Sequence, residues 1–125
     1  MNCFRGSLEN VSRRFINAAK HYDLDYVTRI NGDNIFIDLD CFGKMFKQCS
    51  LKTYDFISNV KNRTFPFGMS IEMVRTSFYE KLLANFSNEA HFEHVTLYLY
   101  ENSNIGRHYY FVNEKFYYEL SYYTV

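Results

Sequence analysis

Tyr26-Val27-Thr28-Arg29-Ile30-Asn31-Gly32-Asp33 reads as a strand rich in β-branched residues running straight into a turn. Ligands in open α/β sheets bind at the carboxyl ends of strands, so this turn sets one acid, Asp33, where a metal-phosphate complex would sit. Asn-Gly-Asp is also an ordinary turn former, and the pattern alone favours the turn.

Working outward, Ile35-Phe36-Ile37 leads to Asp38, which is placed to cap a helix carrying Leu39, Phe42, Met45, Phe46 and Cys49 at helical spacing. Residues 54–59 read as the next strand. Strand, helix and strand with short joins predict a βαβ unit, hence a parallel pair and a right-handed crossover. On the other side, Ser7 is placed to cap a helix whose core face is Leu8, Val11, Phe15, Ala18, Ala19 and Tyr22.

Downstream, residues 60–68 hold the only proline and read as a loop. Met69-Ser70-Ile71-Glu72-Met73 alternates strictly, which turns Glu72 away from Ile71 and Met73. Ser77 and Glu80 have capping-box spacing at the start of a third helix that continues through Leu82, Leu83 and Phe86. Residues 91–100 predict a fourth helix, and residues 108–112 and 117–125 predict aromatic strands.

Lys and Arg total 14 and so do Asp and Glu, so no long-range field marks a nucleic-acid or polybasic membrane binder. The three cysteines are widely spaced and odd in number, which argues against a disulfide framework and a zinc knuckle, and the lack of a basic segment followed by an apolar run or of a membrane-length apolar stretch leads to the expectation of a cytoplasmic location. Five isolated glycines write neither a P-loop nor a dinucleotide fingerprint, and no G-x-S-x-G elbow is present. Aromatic residues make up 20% of the chain, enough to leave adhesive patches wherever they lack a surface to pack against.

Few other residues bear chemistry. Glu72 is placed either to accept a substrate hydroxyl or to face solvent from its strand. Asp38 and Asp40 read as a cap and a first-turn residue. His91 and His94 are three apart, but no third metal ligand stands at a suitable spacing, so capping or hydrogen bonding is the better local account.

Taken in order, Phe4-Arg5-Gly6-Ser7, residues 11–15, Arg29-Ile30-Asn31-Gly32-Asp33 with Ile37-Asp38, Pro66-Phe67-Gly68-Met69-Ser70-Ile71-Glu72 and Glu93-His94-Val95-Thr96 form one series. It resembles the cytidylyltransferase group of sugar-nucleotide synthetases, closest to the spore-coat-polysaccharide type and related to acylneuraminate and octulosonate cytidylyltransferases. The resemblance implies a three-layer α/β/α nucleotide-diphospho-sugar transferase fold, Rossmann-like, in which a sugar or sugar acid attacks CTP and expels pyrophosphate with Mg2+ bound. It implies Asp33 as metal ligand and, with Arg29, as catalytic. Arg14, Asn31, Glu72, Glu93 and His94 are implied as substrate-binding, the Glu93-His94 pair being structural or substrate-side.

Phe92, Phe67 and Arg13 depart from the residues usual in that group. Its N-terminal strand and CTP-phosphate loop would lie upstream, so residues 1–125 are expected to form a single partial domain, inactive alone and prone to self-association or homodimer formation. Two alternatives stay open: a non-catalytic interaction module, and a metal-dependent glycosyltransferase of the same fold.

Overall fold

The computed structural model describes residues 2–113. The first helix, α1, spans Val11–His21, one turn later than the Ser7 cap predicts. Asn10 is the cap, its side chain accepting the Arg13 N–H at 2.8 Å, while Ser7 Oγ accepts the Asn10 N–H at 3.0 Å. Leu8 therefore stands outside the helix and is exposed. Ile16 and Ala19 form the buried stripe of α1.

Strand β1 (Tyr26–Arg29) stops one residue short of Ile30, and the chain turns at Gly32-Asp33, with the Asn34 N–H donating to the Asn31 carbonyl at 2.9 Å. Helix α2 (Leu39–Ser50) starts where the sequence places it: Asp38 accepts from the N–H groups of Asp40 and Cys41. Cys41, Met45 and Cys49, each one turn apart, are its buried face. Strand β2 (Phe56–Ser58) follows, then a turn at residues 61–63 in which Asn62 and Arg63 take positive φ, and then strand β3 (Glu72–Arg75).

The four strands stand in the order β1-β3-β2-β4, with β4 being His108–Tyr110. β3 runs antiparallel to both β1 and β2, and β2 pairs parallel with β4. The predicted βαβ unit is thus corrected. β1 and β2 share a direction, but β3 is inserted between them and they exchange no hydrogen bonds. Buried Asn59 steers the insertion: its Nδ2 donates to the Met69 carbonyl and its Oδ1 accepts the Ile71 N–H, each at 2.8 Å.

Alternation along β3 sends Met73 to one side of the sheet and Glu72 and Val74 to the other. On the Met73 side, Ile57, Ile71 and Met73 pack against α2. On the other, Phe56 and Val74 meet Ile16 and Ala19 of α1, Tyr79 and Leu82 of α3 (Thr76–Leu82), and Leu99 of α5 (Leu97–Glu101). The result is the three-layer α/β/α arrangement.

The Ser77–Glu80 capping box does not form. Arg75 occupies the cap position of α3 without a side-chain capping bond, and Thr76 Oγ1 donates to the Leu24 carbonyl instead. The helix predicted over residues 91–100 is two short ones, α4 (Glu89–Glu93) and α5, broken where His94 becomes extended. The break has identifiable partners: the Val95 carbonyl accepts from Tyr79 at 2.6 Å, and Thr96 Oγ1 donates to Glu72 at 3.0 Å. The strand expected at residues 117–125 lies outside the described residues. Among the described residues no helix is long and apolar enough to cross a membrane.

Candidate active site

The strand register aligns Arg29 of β1 and Ser58 of β2 with Glu72 of β3, and Ser58 with Tyr110 of β4. These positions form one row at the edge where β1 and β2 end. Beyond that row, the turn after β1 and the loop before β3 run side by side: Asn34 Nδ2 donates to the Ser70 carbonyl at 2.8 Å and the Phe36 N–H to the Gly68 carbonyl at 3.2 Å. Between them opens a cleft of about 500 Å³ whose polar lining includes Arg29, Asn31, Asp33, Arg63, Ser70 and Glu72.

Arg29 is fixed at its inner end. Its Nη1 donates to Glu72 Oε2 at 2.7 Å, and Glu72 is 5% exposed. The other oxygen, Oε1, accepts from Thr96 Oγ1 at 3.0 Å and from Tyr100 Oη at 2.7 Å. Three donors converge on one buried carboxylate, which is how a buried charge is tolerated. The solvent-facing reading of Glu72 is therefore overturned, and as a hydroxyl acceptor this acid has no oxygen without a donor.

Asp33 differs in every respect. It is exposed on the rim, and its carboxylate makes no hydrogen bond or ion pair among the described residues. Magnesium keeps most of its water and takes one or two protein carboxylates together with substrate phosphates. One unengaged carboxylate on a cleft that Arg29 and Arg63 also line fits that requirement, though no group of three or more His, Cys, Asp or Glu among the described residues forms a cage for a metal.

Arg63 went unnamed as a site residue by sequence reasoning. Its guanidinium carbon sits 4.5 Å from the ring centroid of Phe67, which props it over the cleft. The polar run Lys61-Asn62-Arg63 in an otherwise apolar region was the available signal.

Arg14, Glu93 and His94 do not line this cleft. Arg14 Nη1 donates to the Ser7 carbonyl at 3.2 Å, and Glu93 lines a separate groove with Leu8 and Val11 at the start of α1. His94 is exposed at the C-cap of α4, where its backbone N–H bonds the Ala90 carbonyl. His91 is structural: it is buried and its Nε2 lies 2.6 Å from Glu101 Oε2.

Fold and cleft together define the class, a three-layer α/β/α domain with an arginine- and acid-lined cleft at the carboxyl edge of its sheet. Sequence comparison narrows the class: the cytidylyltransferase family matches residues 1–125, and the chain belongs to that family. It is 34% identical over 110 residues to an uncharacterized protein of Methanocaldococcus jannaschii, covering 88% of this chain and 44% of that one. It superimposes with a TM-score of 0.82 and 32% identity on a cytidylyltransferase from Leptospira borgpetersenii serovar Hardjo-bovis, covering 89% of this chain and 48% of that one. The chain thus spans less than half the length of each of these relatives.

Proposed function

We propose that the cleft is the part of a CTP and acceptor site that meets phosphate oxygens and metal, with the upstream phosphate loop that the resemblance implies as its other wall, in a cytidylyl transfer to a sugar or sugar acid in the synthesis of surface polysaccharide. The observation that carries this reading is the convergence of Arg29, Arg63 and the unengaged Asp33 on one cleft in a cytidylyltransferase fold. In such a transfer the acceptor oxygen forms a bond to the α-phosphorus, the bond to the bridging oxygen breaks, and pyrophosphate leaves with that oxygen. The acceptor's proton passes to solvent.

Charge builds on the non-bridging and leaving oxygens, and fixed cations stabilise it without reorganising. Arg29 is the better placed of the two arginines, because Glu72 holds one nitrogen and leaves the rest of the fork for the ligand. Glu72 then acts as the counter-ion that aims Arg29. Asp33 would hold Mg2+, which when bound would neutralise phosphate charge. Asn31, exposed on the same lining, supplies amide donors and an acceptor for the acceptor's hydroxyls.

Binding is the property to test on a chain of this length. Calorimetric titration with CTP is expected to show affinity that rises with MgCl2. Asp33→Ala is expected to abolish the MgCl2 dependence and Arg29→Ala to weaken binding roughly tenfold, the equivalent of one charge-assisted hydrogen bond. CTP affinity indifferent to both substitutions would remove the reading. Three free cysteines, two of them buried, suit a cytoplasmic enzyme.

A further inference from the structure

The hydrogen bonds around Glu72 do not stop at the cleft floor. Ser58 Oγ accepts the Val60 N–H at 3.0 Å and lies 2.5 Å from Tyr100 Oη, which donates to Glu72 Oε1 at 2.7 Å. A phenol has one proton. Because Tyr100 gives its proton to Glu72, the 2.5 Å bond must carry the proton of Ser58, and the direction of the whole chain is set. It runs from the Val60 amide through Ser58 and Tyr100 to Glu72, where it meets Arg29 arriving from the other side.

Both ends of this chain line the cleft. Val60 opens the loop that carries Arg63, and Arg29 ends β1. The proton of each intermediate hydroxyl is committed to the next oxygen, so neither hydroxyl can turn to another acceptor without breaking the chain. Burial, first, and the charge of Glu72, second, push the Tyr100 hydroxyl far above its ordinary range, which keeps it a donor. The ring of Tyr100 packs edge-on against Phe56 at 5.3 Å and stacks with Tyr110 at 6.4 Å, contacts that phenylalanine would keep. Only the hydroxyl distinguishes tyrosine here.

We infer that Tyr100 is a positioning residue of the anion site: through Glu72 it fixes the Arg29 guanidinium, and through Ser58 it sets the start of the Arg63 loop, so that both arginines address one phosphate group. The inference rests on the reading of the cleft as a phosphate site. Thr96 shares the Glu72 end of the task, since its hydroxyl reaches the same oxygen. Tyr100 is the residue whose hydroxyl bonds both Glu72 and Ser58.

The test uses the 125-residue chain, with NMR of the arginine guanidinium groups and titration with inorganic pyrophosphate and with CTP. Tyr100→Phe is expected to fold, to speed rotation of the Arg29 guanidinium, to shift amide signals over residues 60–63, and to weaken pyrophosphate binding roughly tenfold. Should Tyr100→Phe fail to fold, Thr96→Val is the second variant. It is expected to mobilise Arg29 while leaving residues 60–63 in place. An Arg29 signal and a pyrophosphate affinity unchanged in both variants would overturn the inference. A wild-type chain that binds pyrophosphate but not CTP, with Arg29 responding to Tyr100→Phe, would sink the nucleotide reading and uphold the positioning role.

Discussion

Nη1 of Arg29 lies 2.7 Å from Oε2 of Glu72, across a strand register that sets the two residues directly opposite each other. The acid is buried, so removing it would take the acceptor from a guanidinium and a threonine hydroxyl and leave the tyrosine hydroxyl only Ser58. Glu72→Ala is therefore expected to lower unfolding free energy by roughly 3 kcal/mol. Urea denaturation checks this, and a loss well under 1 kcal/mol would mean that the pair carries little stability.

Gly106 takes φ +76°, and a Cβ there would lie 2.5 Å from the Phe78 ring and 3.2 Å from Asp55 Oδ2. Backbone strain of this kind costs about 1–3 kcal/mol before the steric clash is added. Gly106→Ala is expected to drop the melting temperature clearly. Gly32→Ala, where a Cβ would meet nothing within 4 Å, is the control and is expected to leave it within error. Equal melting temperatures for the two variants would refute the assignment.

Alkaline pH is the weak side of this fold. Burial pushes the Tyr79 hydroxyl up to about 12 and the Cys49 thiol up to about 11, from ordinary values of 10.0 and 9.0. Both groups prefer their protonated forms when folded, so the unfolded chain releases these protons first and stability falls as pH rises from about 9 to about 12. The expected outcome is a urea midpoint that declines over that window and declines less in the Tyr79→Phe/Cys49→Ala double variant. A midpoint that climbs with pH there would contradict it.

Ile35, Phe36 and Phe67 are exposed together on the apolar rim of the cleft. Contiguous apolar surface drives association. Sedimentation at rising concentration is expected to show self-association that the Phe36→Ser/Phe67→Ser double variant reduces. A wild-type chain monomeric at every concentration would count against it.

Elements specified by neighbouring residues were legible in the sequence. The Asp38 cap marks the start of α2, where Met45 and Cys49 of the expected apolar face are buried but Leu39 and Phe46 are exposed and the unnamed Cys41 completes the stripe, and the alternation around Glu72 separates the two faces of β3. Of the seven site residues that the resemblance implied, Arg29, Asn31, Asp33 and Glu72 line one cleft, while Arg14, Glu93 and His94 do not. What stayed hidden depended on distant partners. The extended break at His94 has its reasons in Tyr79 and Glu72, and Glu72 is buried because Arg29, 43 residues earlier, arrives opposite it. Strand order was misread for the same cause: no local pattern says that a later strand will slip between two earlier ones.

That inserted strand gives the molecule a chronology. A nascent chain leaves the ribosome with its N-terminus first, so β1, α2 and β2 emerge before residues 72–75, the strand that hydrogen-bonds to both β1 and β2. The centre of the sheet is its youngest inner part. Until Arg75 clears the exit tunnel, the sides of β1 and β2 that β3 joins stay unpaired, and a pause in translation between Ser58 and Glu72 would hold them open to other strands.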